Sequence, residues 1–324
     1  MAPITYLDAI RDALNEEMAR DERVFVIGED VGTYGGAFKA TEGLLARFGR
    51  DRVIDTPISE TAIVGAAIGA AYTGMRPVAE MQFIDFIACC FNILTNFAAK
   101  SRYRWGAGVP LVVRGPCGGG VGGGPFHSGN PEAYFAHTAG LKIVEPSTPT
   151  DAKGLLKAAI RDDDPVLFLE HKYLYRRLKE EVPSGDYVVP IGKAVVRRQG
   201  SDATIVTFGA MVHVALEAAA RADEDGIDVE VLDLRTLAPL DRETILESVA
   251  RTSRALVLHE AARTGGIGGE IAACIGEEGF EYLDAPVTRL GSLDTPVPYS
   301  PPLEHAFMPG VDKVVDAVRT LVRY

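Results

Sequence analysis

Three stretches of this sequence hold residues whose types and spacing suit chemistry. The first is Ser59-Glu60, at the head of an apolar run. Ala62, Gly65, Ala66, Gly69 and Ala70 recur with the period of one helix face and form a stripe of very small side chains. Each interior helix glycine costs about 1 kcal/mol against alanine, so such a stripe implies close approach by another helix or sheet. Glu60, behind the candidate cap Ser59, can simply complement the helix dipole. Its neighbours Pro57, Ile58, Ile63 and Val64 are apolar, however. A poorly solvated carboxyl holds its proton to higher pH, which suits a group that must share one.

The second stretch is Gly115 to Gly124, with seven glycines in ten positions, leading to Phe126, His127 and Ser128. It looks like a phosphate cradle, yet no Lys-Ser/Thr pair follows. A sharply turning, mobile backbone that displays His127 at a cleft is the better use of these glycines. The third stretch is Ala159 to Pro165, a helix end followed by Asp162, Asp163 and Asp164. Acidic side chains are unfavourable at the negative end of a helix dipole. A cation gathering carbonyl and carboxylate oxygens would relieve this, and a solvated acidic turn before a proline would serve equally.

The elements that position these residues alternate between helix and strand, which favours parallel sheets covered by helices. Thr5 can cap a helix reaching about Ala19. Strands are expected over Val24–Ile27, Val78–Met81, Leu111–Arg114 and Val166–Glu170. Helices are expected after Ser59, before Arg104 and over Asp151–Arg161. The polar stretch Arg176 to Gly192, with Pro183, Gly185 and Pro190, reads as an interdomain linker. A second series follows, with strands over Ala203–Thr207, Val229–Leu232, Leu256–His259 and Val287–Leu290, and a last helix over Val311–Val322.

A chain of 324 residues suits two α/β domains. A net charge of −12 argues against nucleic acid, whose phosphates demand a basic face. No apolar run approaches the roughly 20 residues that span a bilayer. Asp8, Arg11 and Asp12 interrupt the N-terminus, so a targeting segment is not expected there. Cys89, Cys90, Cys117 and Cys274 follow no disulfide or metal spacing and read as reduced thiols in a cytoplasmic compartment.

Longer stretches carry a resemblance to one family. They are GEDVGTYGGAFKATEGL from Gly28, RVIDTPISE from Arg52 and GMRPVAEMQFIDF from Gly74. HTAGLKIVEPSTPTDAKGLLKAAIRDDDPVLFLE from His137, EVLDLRTLAPLD from Glu230 and HEAARTGG from His259 continue it. From residue 4 onward the chain resembles the β subunit of the heterotetrameric, thiamin diphosphate-dependent 2-oxo acid dehydrogenases, the decarboxylating component of pyruvate and branched-chain complexes.

The resemblance implies two doubly wound α/β domains. A transketolase-like pyrimidine-binding domain would cover 1–180, a linker 181–200, and a transketolase C-terminal-like domain 201–324. By position, Glu60 would contact N1′ of the cofactor's aminopyrimidine, Phe86 would pack on that ring and Gln82 would line the pocket. His127 would serve proton transfer and reductive acylation of a lipoyl group. Leu111, Ala159, Ile160, Asp162 and Asp164 match positions that hold a potassium ion in some relatives.

Thiamin diphosphate enzymes anchor the diphosphate through Mg2+ with a GDG motif, and none occurs here. In this family the α chain carries that motif. The implied partners are therefore an α subunit, in an α2β2 heterotetramer, and the lipoyl and subunit-binding domains of an acyltransferase core. Glu277, Glu278, Glu281 and Tyr324 form a candidate acidic dock for the last. An acetoin dehydrogenase β subunit is the competing enzyme reading. A non-catalytic assembly or nucleotide-binding protein is the reading from another class, and it has no use for both Glu60 and His127.

Overall fold

The computed structural model describes residues 3–324; Met1 and Ala2, at the head of the expected first domain, lie outside the described residues. The chain divides into two compact units. One holds the residues up to Cys117 together with Tyr134–Ile191, the other Gly118–Ala133 with Gly192–Tyr324. A boundary at 181–200 leaves the glycine-rich loop in the first domain, whereas its packing places it in the second unit.

In the first unit the chain runs through β1 (Ile4–Thr5), α1 (Tyr6–Arg20), β2 (Val24–Gly28), α2 (Leu44–Phe48) and β3 (Val53–Asp55). It continues through α3 (Glu60–Tyr72), β4 (Arg76–Glu80), α4 (Ser101–Trp105) and β5 (Val112–Cys117). After the glycine-rich loop, α5 (Glu132–Ala136) begins in the second unit and ends in the first, and β6 (Lys142–Val144), α6 (Pro149–Arg161), β7 (Val166–His171) and β8 (Lys179–Glu180) follow. Thr5 caps α1 reciprocally with Asp8, satisfying two N–H groups that the helix start leaves over.

Six strands of this unit run parallel in the order β6-β7-β5-β4-β2-β3. Every residue of β2, β5 and β7 is buried, as in a parallel sheet covered on both faces. The chain leaves β2 for β3 on one side and later places β4 on the other. The strand order therefore reverses between β2 and β4, and a crevice opens beyond the strand ends at such a switch.

The helix expected before Arg104 is broken into a 3-10 turn over Ile84–Cys90, a π-helical turn over Ile93–Ala98, and α4. The hydroxyls of Thr95 and Ser101 donate to the carbonyls of Phe91 and Phe97, four residues back, a bond that bends helices.

In the second unit β9 (Val195–Arg198), β10 (Ala203–Thr207), α7 (Met211–Asp223), β11 (Val229–Asp233), β12 (Thr236–Ala238) and α8 (Arg242–Thr252) follow. They are succeeded by β13 (Ala255–Ala262), α9 (Gly268–Glu278), β14 (Thr288–Ser292), α10 (Pro301–Phe307) and α11 (Val311–Leu321). The sheet order is β14-β13-β10-β11-β9, parallel except for the edge strand β9.

One charge cluster lies inside the first sheet. Arg114 of β5 is 1% exposed and is clamped between Glu80 of β4 and Glu170 of β7. The Tyr175 hydroxyl donates to Glu170 at 2.6 Å. Burial pushes the Glu80 carboxyl up, and the Arg114 guanidinium opposes that shift. Arg114→Met would leave two buried carboxylates without their cation. It is expected to destabilise the chain by about 3–5 kcal/mol in denaturant unfolding. A loss below about 1 kcal/mol would show that the cluster is not holding the sheet together.

Candidate active site

At the carboxyl ends of three adjacent strands the first unit gathers the residues expected to meet a cofactor. Glu29 and Asp30 follow β2, Glu60 follows β3, and Gln82 and Phe86 follow β4. Gln82 donates to the Asp30 carboxylate at 3.2 Å, tying the loops after β4 and β2 together. Phe86 packs edge-on against Phe83 with ring centroids 6.3 Å apart, and Phe83 packs in the same way on Phe38 at 5.5 Å. The loop after β2 is held from below by Asp55, whose carboxylate accepts the N–H groups of Gly32 and Thr33 at 2.5 and 3.0 Å.

Glu60 opens α3 and is half-buried. Ser59 does not cap the helix with its side chain; its hydroxyl donates to the Pro57 carbonyl at 3.0 Å, while its backbone N–H reaches Glu29. Glu29 is a residue that sequence reasoning passed over. It is buried, and its carboxyl is pushed above the usual range by desolvation first and by the charge of Glu60 second. The signal was present in the position itself, a carboxylate directly after a buried strand.

Three of the five small residues in the α3 stripe do not pack on this unit. Ile63, Val64, Ala67, Ile68 and Ala71 form the buried face, while Ala62, Ala66 and Gly69 lie exposed. A Cβ added at Gly69 would meet nothing within 4 Å. Ile58 and Tyr103 on the same unit are 83% and 95% exposed.

The second unit carries His127, half-buried on the turn after the glycine-rich loop, with its N–H donating to Gly124 O at 3.3 Å. Glu132 follows in the first turn of α5 and is 1% exposed. Burial pushes its carboxyl up to about 8, the charge of Glu260 adds to the rise, and its own backbone N–H opposes it.

Leu111, Ala159, Ile160, Asp162 and Asp164 come together at the amino ends of the strands, the opposite end of the sheet from Glu60. Their oxygens are already engaged. Arg76 donates to the Ile160 and Asp162 carbonyls at 3.0 and 2.9 Å, and the Lys142 ammonium lies 2.7 Å from both Asp162 carboxylate oxygens. Arg102 pairs with Asp164. The Leu111 carbonyl accepts from the Val166 N–H at 2.9 Å and the Ala159 carbonyl from the Asp162 N–H at 3.2 Å. An added cation would face three positive side chains, so the oxygens as arranged do not fit a potassium ion. Among the described residues no group of three or more His, Cys, Asp or Glu is placed to hold a metal ion.

Comparison with known proteins divides the chain by sequence between 177 and 192, with the glycine-rich loop on the first side. Residues 2–177 match the transketolase pyrimidine-binding domain and residues 192–314 the transketolase C-terminal domain. The chain is 54% identical over 329 residues to "2-oxoisovalerate dehydrogenase subunit beta" of Bacillus subtilis, with 100% of both chains covered. It belongs to the β subunits of the 2-oxo acid dehydrogenases. Within this family it is also 46% identical over 326 residues to "Pyruvate dehydrogenase E1 component subunit beta" of Bacillus subtilis, again covering 100% of both. The corresponding subunit of Porphyra purpurea is 48% identical over 324 residues, covering 99% of this chain and 98% of that one. A solved structure, "Split gene transketolase, inactive beta4 tetramer", shares the fold with a TM-score of 0.81 at 24% identity, over 99% of this chain and 98% of that chain. As in other members of this β-subunit family, the fold is a transketolase-like pair of α/β domains. No helix among the described residues is long and apolar enough to cross a membrane.

Two measurements check the charges described above. The folded chain keeps the Glu132 proton up to about 8 whereas the unfolded chain releases it near 4.5. This group's contribution is therefore complete below the lower value and is lost as pH rises through the upper one. Denaturant unfolding at pH 6 and pH 8.5 is expected to show a smaller pH-dependent loss in Glu132→Gln than in the wild type. Equal losses in both would exclude Glu132 as its source. Exchanging potassium chloride for choline chloride at equal ionic strength is expected to leave Tm unchanged. A rise in Tm that saturates with potassium would contradict the fit described for Asp162 and Asp164.

Proposed function

We propose that this chain supplies the pyrimidine-binding part of a thiamin diphosphate site that an α chain completes in an α2β2 assembly. The assembly decarboxylates a 2-oxo acid, pyruvate or a branched-chain one, and passes the acyl group to a lipoyl arm of an acyltransferase core. The observation that carries this reading is the half-buried carboxyl of Glu60 beside the buried Glu29, at a switch point that Gln82 and Phe86 share. This set fits an aminopyrimidine: a carboxyl for a ring nitrogen, an aromatic ring for its face and an amide for its edge.

When bound, thiamin diphosphate supplies the nucleophilic thiazolium carbon and the electron sink that decarboxylation of a 2-oxo acid requires. Glu60 holds and releases a proton at the pyrimidine N1′. Phe86 packs on the ring and Gln82 orients it. His127 moves a proton during acyl transfer to the lipoyl sulfur. The diphosphate and its Mg2+ fall to the α chain, because the GDG motif is missing here.

The open stripe of α3, with the exposed Ile58 and Tyr103, supports a partner chain packed closely against this unit. On the second unit Glu277, Glu278 and Glu281 are exposed at and beyond the end of α9, and support docking of a basic subunit-binding domain. The enzyme acts in the cytoplasm.

The test mixes the chain with its α chain and assays 3-methyl-2-oxobutanoate first, given the 54% against 46% identities, then pyruvate and acetoin. Turnover of a 2-oxo acid supports the reading, while turnover of acetoin alone would replace it. Glu60→Gln is expected to fold with unchanged Tm and to lose about 100-fold or more in turnover. Near wild-type turnover in that variant would remove Glu60 from the proton path.

A further inference from the structure

Within the second unit, the glycine-rich loop is built around carboxylates of the same unit. Glu304 of α10 is 4% exposed. Its Oε1 accepts from the Gly120 N–H at 2.8 Å and its Oε2 from the Gly122 N–H at 3.1 Å. Glu260 of β13, also buried, accepts the Gly119 N–H at 2.6 Å and the Asn130 side-chain amide at 3.1 Å. The Gly118 N–H closes the neck of the loop on Gly129 O at 3.1 Å.

Backbone N–H groups that converge in this way form a nest for an anion. Gly120 and Gly122 have φ of +81° and +71°, a region that side chains rarely adopt, and this turns both N–H groups toward Glu304. The nest has the form of a phosphate cradle, and the chain's own carboxylate fills it. Side chains close the remaining gaps: a Cβ at Gly124 would lie 2.1 Å from the Tyr299 ring, and one at Gly119 would lie 3.1 Å from the Met308 sulfur. The loop then continues three residues beyond Gly124 to His127.

We propose that Glu304, assisted by Glu260, is a positioning residue for His127. Its carboxylate binds the loop amides as an internal anion and fixes the backbone from which the histidine is presented. This inference rests on the role proposed for His127 in acyl transfer. Two charge-assisted hydrogen bonds accepted by one buried carboxylate make the tether depend on the charge of Glu304 as well as its shape. A neutral amide of the same size would turn an N–H donor toward one of the loop's own N–H groups.

The experiment compares wild type, Glu304→Gln, Glu304→Asp and His127→Ala as full chains mixed with the α chain. Hydrogen exchange reads the amides of residues 119–122, independently of catalysis. Acylation of a free lipoyl domain and reduction of a dye that accepts electrons before the lipoyl arm read the two parts of turnover. Glu304→Gln is expected to speed exchange of those amides about tenfold or more, and to slow lipoyl acylation more than dye reduction. The shorter but charged Glu304→Asp should recover part of both effects, and His127→Ala should show the acylation defect with protected loop amides.

Unchanged exchange and acylation in Glu304→Gln, with acylation still lost in His127→Ala, would overturn the tether alone. Faster exchange with normal acylation in both Glu304→Gln and His127→Ala would overturn the role of His127 and, with it, that of Glu304.

Discussion

Two carboxyl groups, Glu29 and Glu60, stand beside each other because β2 and β3 run parallel and end together, with Gly28 opposite Asp55. Water would normally separate like charges; here the sheet brings them into one crevice. The cost appears at Glu29, whose charge is disfavoured by burial and by its neighbour. The packing that offsets it is tight: a Cβ at Gly28 would meet the Glu80 carbonyl at 2.8 Å, so β2 and β4 approach as only glycine permits. Asp55 then spends its carboxylate on the loop amides of Gly32 and Thr33, which keeps that loop in place after the strand ends. A heterocycle that exchanges a proton with a carboxyl needs such a poorly solvated acidic crevice.

The same logic of negative charge recurs elsewhere in a chain of net charge −12, with different partners each time. Inside the first sheet Arg114 neutralises Glu80 and Glu170. At the amino ends of the strands Arg76, Lys142 and Arg102 take the oxygens of the acidic turn after α6. In the second unit backbone amides of the glycine-rich loop serve Glu304 and Glu260. Buried carboxylates are costly when bare, and each of these clusters makes a loop or strand end adopt one geometry. Glu29 differs: burial weighs on it most, and the charge that acts on it most strongly is that of another carboxylate, Glu60.

Local patterns were legible where they depend on the residues themselves. The all-apolar run at Val24–Ile27 and the strands at Ala203–Thr207 and Val229–Leu232 lie within the observed elements, because burial on both faces leaves its mark on every residue. Thr5 caps its helix because the capping box needs only Asp8 three residues on. What was hidden depends on distant partners. Ser59 turns from the helix to Pro57 because its N–H is held by Glu29, some thirty residues earlier. The helix before Arg104 breaks at back-bonded hydroxyls that periodicity does not register. The acidic turn at 162–164 left a bound cation and a solvated turn equally open, and Arg76 and Lys142 meet it from β4 and β6. The glycines after Gly118 suggested a mobile backbone, and Glu304, 184 residues downstream of Gly120, instead accepts from two of its N–H groups.

The central claim is that the crevice at Glu60 is half of a site. Calorimetric titration of thiamin diphosphate, with Mg2+ present, into this chain alone, into its α chain alone and into their mixture tests that most directly. The account requires saturable binding in the mixture and little or none in either chain by itself. Tight binding by this chain alone would contradict it, since the diphosphate would then have found an anchor that the sequence does not contain.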